Sequence, residues 1–122
     1  MRFARITFLV AAVYGIIVLL PQYFLESYIG ATDPPPITHP EFFYGFIGIA
    51  LVFQLVFLVI SRDPVRYRPL MLISVLEKLS FGLAAPVLYL QGRLSGDMLA
   101  AGGIDLLLAV LFVISYFKTP KN

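Results

Sequence analysis

The chain has no cysteine, no tryptophan, a single histidine and little charge. Without cysteine there is no disulfide framework, no thiolate metal site and no cysteine nucleophile. The one histidine, His39, has no second nitrogen ligand anywhere in the chain, so a self-contained metal site lacks its donors. Its place beside Pro40 and Glu41 reads as structural, at the start of a helix, rather than as an axial ligand. Charged residues fill 13% of the 122 positions, against about 25% in a soluble globular domain. Hydrophobic residues fill 60%, and the mean hydropathy is +0.91. That balance excludes a water-soluble monomer, a disordered chain and a nucleic-acid-binding domain. No Ser-His-Asp set, glycine-rich phosphate loop or phosphoryl-transfer motif can be read, so the sequence leans away from an enzyme and requires no cofactor.

What the chain does have is four long apolar runs, at 3–20, 42–60, 69–90 and 98–117. As helices they would be about 27–33 Å long at about 1.5 Å per residue, the thickness of a hydrocarbon core of about 30 Å. Since exposed backbone cannot cross lipid, each run is predicted to be a transmembrane helix. The fold class follows: all-α, an integral membrane four-helix bundle forming a single domain over 1–122.

The connections agree with this division. Residues 21–41 form an outer loop broken by Pro34, Pro35, Pro36 and Pro40, through which no helix continues. Thr38-His39-Pro40-Glu41 reads as a capping box for the second span. Asp63-Pro64 and Pro69 bracket the next turn. Gly92 and Gly96 mark the last turn, where Ser95 or Asp97 is placed to cap the fourth span. Residues 22–29 mix Tyr23, Phe24, Leu25, Tyr28 and Ile29 with Glu26 and Ser27. They read as a short amphipathic turn in the membrane interface, with a ligand lid as the alternative.

Orientation follows from the basic residues. With four alternating helices, Arg2, Arg5, Arg62, Arg66, Arg68, Lys118 and Lys121 share one side and Arg93 alone lies on the other. The positive-inside rule then predicts both termini in the cytoplasm. The first span has the basic start and apolar stretch of a signal peptide, but no small-x-small site follows it, so it is expected to be retained.

Ionisable side chains inside a span are costly and tend to face a partner or a cavity. There are three here, Glu77, Lys78 and Asp105. Counting residues along each span puts them in one inner-cytoplasmic layer with Gln54 and Tyr14, Asp105 lying roughly one turn deeper, so all four helices offer it a polar group. Lys78 shares a stripe with Ser74, Gly82 and Ala85, and Asp105 shares one with Ala101, Gly102 and Ala109. Ala11 and Gly15 form a similar small patch. Small-residue stripes are where membrane helices approach one another, so both charges are expected to point inward. Glu77 and Lys78 are adjacent in sequence and expected not to face each other. Lys78 has Asp105 within reach of its stem, although side chains lean toward their helix's start and so away from Asp105; the alternatives are snorkelling or a bond to Gln54 or Tyr14. Pro86 is expected to kink the third span. The aromatics Phe42, Phe43, Tyr44, Phe46, Phe53 and Phe57 are assigned to lipid and core packing.

The stretch Phe43-Tyr44-Gly45-Phe46-Ile47-Gly48-Ile49-Ala50 carries a resemblance. With the basic start, the proline-containing outer loop and the glycine/alanine-rich last span, it resembles the DoxX-like small bacterial four-helix membrane proteins. That resemblance implies a multi-pass protein of the bacterial inner membrane, in a group with some links to quinone-coupled redox chemistry. Leu76-Glu77-Lys78-Leu79 stands outside the group's pattern, and no functional residue is carried over.

Three readings of the buried polar cluster remain open. In the first, the protein is an accessory or assembly subunit, as a homo-oligomer or within a larger membrane complex, and the cluster only fixes helix register. In the second it binds or carries a small amphipathic molecule, a quinone or a lipid, through Glu77, Lys78 and Asp105. In the third, Glu77 and Asp105 act as an acid/base pair. Apart from such ligands and subunits, the bilayer itself is the expected partner.

Overall fold

The four apolar runs fold into four long helices because nothing inside them competes with the helical backbone bond, and each is stopped by a recognisable local device. The computed structural model describes residues 2–121. In chain order these form α1 (Arg2–Leu19), a 3-10 turn (Leu20–Phe24), the short α2 (Glu26–Thr32), α3 (Pro40–Arg62), α4 (Arg68–Leu90) and α5 (Gly96–Lys118). The fold is an all-α four-helix bundle, with α2 carried in the long connection. Four helices are long and apolar enough to cross a membrane: α1 with its 3-10 extension, α3, α4 and α5, each covering 23 residues. Each long helix extends one or two residues beyond an expected boundary, since flanking polar residues continue the helical turn.

The terminators differ from one helix to the next. After α4, Gly92 takes a left-handed conformation at φ 72°. Its N–H donates to the Tyr89 carbonyl (2.9 Å) and the Arg93 N–H reaches back to Leu88 (2.9 Å). This is the Schellman arrangement, which asks for glycine at that position. Ser95 then caps α5, accepting from the Met98 N–H at 3.3 Å. The expected capping box at Thr38 does not form. Pro40, with its fixed φ, takes the first helical position, so the cap falls on His39, which makes no side-chain cap bond. Glu41 pairs instead with His39 (Nδ1 to Oε1, 3.4 Å) on an exposed surface. Pro86 lies inside α4, and the helix runs on through it to Leu90.

The bundle is assembled as two hairpins. α1 packs along α3, and α4 packs along α5 more extensively than any other pair. Small residues make the α4–α5 approach possible: a Cβ at Gly102 would overlap the Ala85 Cβ, and one at Gly82 would lie 3.0 Å from Leu106. The hairpins join chiefly through α1 against α5, while α3 and α4 touch only lightly.

The core is concentrated toward one end. Ala4, Phe8, Ala11, Ala12, Phe57, Ile60, Met71, Leu108 and Phe112 form it. In this antiparallel arrangement they belong to the end of the bundle that carries both chain termini, the terminal end. Phe8 stacks on Phe112 with centroids 4.1 Å apart, and Phe57 sets its edge against both rings. Arg68 closes the same end. Its Nε–H is shared by the Tyr116 (3.1 Å) and Thr119 (2.9 Å) carbonyls, and its guanidinium lies 3.7 Å over the Tyr116 ring. A residue that counts toward orientation in the sequence thus also caps the last turn of α5. Outward, the long helices present Ile17, Ile49, Leu76, Leu83, Leu107 and Val110, all exposed.

Gly102 and Gly103 separate packing from propensity. Gly102→Leu, forced against Ala85, is expected to cost about 1–3 kcal/mol. Gly103→Ala, which meets open space, is expected to cost nothing. Thermal unfolding of the detergent-solubilised variants measures both.

Candidate functional site

Toward the opposite end, the loop end, the hairpins enclose a cavity of about 860 Å³. α1 contributes Tyr14, Gly15 and Val18; α3 contributes Phe43, Phe46, Ala50 and Gln54. α4 contributes Glu77, Lys78 and Phe81, and α5 contributes Met98, Ala101 and Asp105. Leu25, Tyr28, Ile29 and Thr32, around the short α2, border the same space toward the loop end, with Asp33 and Asp97 at its mouth. All five polar residues expected in one layer, Tyr14, Gln54, Glu77, Lys78 and Asp105, line this one cavity. They occupy its deep end, next to the aromatic core.

Lys78 stands at the centre of the polar group. Its side chain is 5% exposed, and its ammonium lies 3.6 Å from Glu77 Oε2 and 3.8 Å from Asp105 Oδ1. Of its candidate partners, Asp105 is therefore the one it meets. The expectation that Glu77 and Lys78 would not face each other is corrected: the helical angle separates their Cβ atoms, but the long lysine stem bends back to bring its amine beside the neighbouring carboxylate. On its other side the ammonium sits 5.1 Å from the centre of the Phe57 ring. Phe57 thus separates the charged layer from the dry core.

The ion pairs are loose. Charge-assisted N–H···O bonds close to about 2.7–2.9 Å, and both contacts here are longer. Glu77 Oε2 is buried without a hydrogen-bond partner, and so is Gln54 Oε1. Gln54 is 1% exposed. Its Nε2–H donates to the Ala50 carbonyl (2.7 Å) within its own helix, leaving its oxygen unpaired. The amide lies against Gly15, where any Cβ would overlap it, so the glycine on α1 makes room for the glutamine on α3. An unpaired buried acceptor costs about 1–3 kcal/mol, and Gln54 Oε1 is one, held between α3 and α1 beside the cavity.

The rim is built from parts whose roles the sequence did not separate. Phe43 and Phe46 line the cavity rather than facing only lipid or core, whereas Phe57 is core, Phe53 packs against it, and Phe42 is exposed. The signal was present: Phe43, Phe46, Ala50 and Gln54 recur at helical spacing on one face of α3. Residues 22–29 divide between the 3-10 turn and α2 instead of forming a single turn. Tyr44 holds α2 down, its hydroxyl donating to Glu26 Oε1 at 2.9 Å, with its ring stacked on Tyr23. His39 takes no part in the cavity. Among the described residues no three His, Cys, Asp or Glu side chains converge to hold a metal ion.

No family model, curated protein or solved structure matches the chain.

Removing one member of the charged trio should be worse than removing all three. Lys78→Met leaves two carboxylates facing each other and is expected to cost about 3–5 kcal/mol. The triple variant Glu77→Gln, Lys78→Met, Asp105→Asn is expected to recover most of that loss, as measured by unfolding in mixed micelles.

Proposed function

We propose that this is a multi-pass protein of a bacterial plasma membrane, with cytoplasmic termini, that binds a small amphipathic molecule between its two helical hairpins. The observation that carries the reading is the cavity itself. Its volume of about 860 Å³ falls within the range of about 300–1,000 Å³ typical of small-molecule sites. Its walls are aliphatic and aromatic, and its deep end holds a few convergent polar groups. A tail lying along Val18, Phe46 and Met98 would bring a polar head to Gln54, Glu77, Lys78 and Asp105.

Other features support the same reading. The outward faces of the long helices are aliphatic, which suits lipid. The basic residues concentrate at the terminal end, which the positive-inside rule assigns to the cytoplasm, and the cavity then opens toward the outer face. A network that only fixed helix register would gain from short, fully satisfied bonds, and this one has long contacts and one buried acceptor, Gln54 Oε1, without a partner. The ligand-binding reading is therefore preferred to the assembly-subunit reading.

The test uses 1-aminoanthracene, a fluorescent amphiphile that brightens in apolar surroundings, with the protein in nanodiscs. A saturable rise above protein-free nanodiscs is expected. Ala101→Trp, which fills the cavity from α5, should weaken that binding by at least about tenfold, or about 1.4 kcal/mol, with unfolding unchanged. Asp105→Asn should alter probe affinity while the protein stays folded. No saturable signal, or an Ala101→Trp response equal to wild type, would overturn the proposal, and an oligomer that changes size without binding the probe would favour the assembly subunit.

A further inference from the structure

The cavity has a marked charge asymmetry. Four carboxylates border it, Glu77 and Asp105 at the deep end and Asp33 and Asp97 at the mouth, against the single ammonium of Lys78. That ammonium is already shared between Glu77 and Asp105. Gln54 Oε1, an acceptor, is buried with no hydrogen-bond partner, and Glu77 Oε2 has only the long contact to Lys78. The deep end therefore holds two carboxyl groups for one ammonium.

From this we infer that the cavity selects an amphipathic amine, a protonated nitrogen with N–H donors on an apolar tail. The inference rests on the proposed ligand-binding function and specifies its chemistry. An ammonium head placed at the deep end meets the carboxylates of Glu77 and Asp105, which share the one Lys78 ammonium at 3.6 and 3.8 Å. The loose contacts around Lys78 leave its two carboxylates able to face a second cation. A quinone's carbonyls only accept, so they leave the carboxyl groups of Glu77 and Asp105 without a new donor. A carboxylate head would add a fifth carboxyl group to four. The exposed mouth carboxylates draw cations toward the opening, as a cleft lined by one sign of charge does. Phe43, Phe46 and Phe81 offer faces along the way that attract a cation as well as a tail.

Three ligands with the same twelve-carbon tail isolate the head group: dodecylamine, 1-dodecanol and dodecanoate. Binding to the full chain in phosphatidylcholine nanodiscs is measured by calorimetry at neutral pH, with the Ala101→Trp protein as the blank for partition into lipid. Dodecylamine should bind at least about tenfold tighter than 1-dodecanol, and dodecanoate should not bind above the blank. Glu77→Gln and Asp105→Asn should each remove most of the amine's advantage while leaving 1-dodecanol unaffected. Should either variant fail to fold, the exposed pair Asp33→Asn, Asp97→Asn supplies a second test, weakening calorimetric binding of the amine and not of the alcohol. Equal binding of amine and alcohol, or preference for dodecanoate, overturns the inference and leaves the amphiphile site standing. If none of the three binds above the blank, the ligand-binding function falls with it.

Discussion

An ammonium and two carboxylates on helices this apolar have only one low-cost location, the space between the helices, and that constraint sets the rotation of α4 and α5. Lys78 turned inward carries Ser74, Gly82 and Ala85 with it onto the buried face. Asp105 turned toward the same space brings Gly102 against Ala85. The small residues permit the close approach, and the charges choose which faces make it. In lipid, where no hydrophobic force pulls helices together, that choice supplies the register that oil-like side chains cannot.

The same constraint divides the bundle along its length. On the terminal side of Lys78 the Phe8, Phe57 and Phe112 rings fill the interior, and Arg68 ties off the last turn of α5. On the loop side the interior is lined by side chains that do not meet across it, with α2 latched over the rim by Tyr44 and Glu26. One half works as a clamp that fixes the hairpins relative to each other. The other half is left open, so polar groups held rigidly from below face a space large enough for a guest. A site supported in this way is positioned by packing rather than by loops, and its charged groups need not collapse onto one another.

Much of this was legible in the residues, for identifiable reasons. Four apolar runs of bilayer length with polar breaks between them can hardly fold otherwise, and the observed helices differ from them by a residue or two. An ionisable side chain inside such a run is conspicuous, so Glu77, Lys78 and Asp105 could be singled out, and rise per residue placed Gln54 and Tyr14 beside them. The contact between Glu77 and Lys78 was not legible, because helical angles fix Cβ atoms and not the end of a four-carbon stem. The cap at the start of α3 is ambiguous in the sequence because two signals compete: the Thr38 pattern points to one position and Pro40 imposes another. The cavity itself was invisible, since it arises from the light contact between α3 and α4 and no single residue spells out a space. The roles of Phe43 and Phe46 depend on that space and were hidden with it.

The absence of native cysteine allows a direct measurement of whether the loop half is open. Single cysteines at Ala101 in the cavity, Ala109 in the packed interior and Leu107 on the outward face would be exposed to a charged, water-soluble methanethiosulfonate reagent in nanodiscs. Rapid modification at Ala101→Cys alone, slowed by bound dodecylamine, is the predicted result. Modification at Ala101→Cys no faster than at Ala109→Cys and Leu107→Cys would contradict the account, because the charged trio would then face no accessible space.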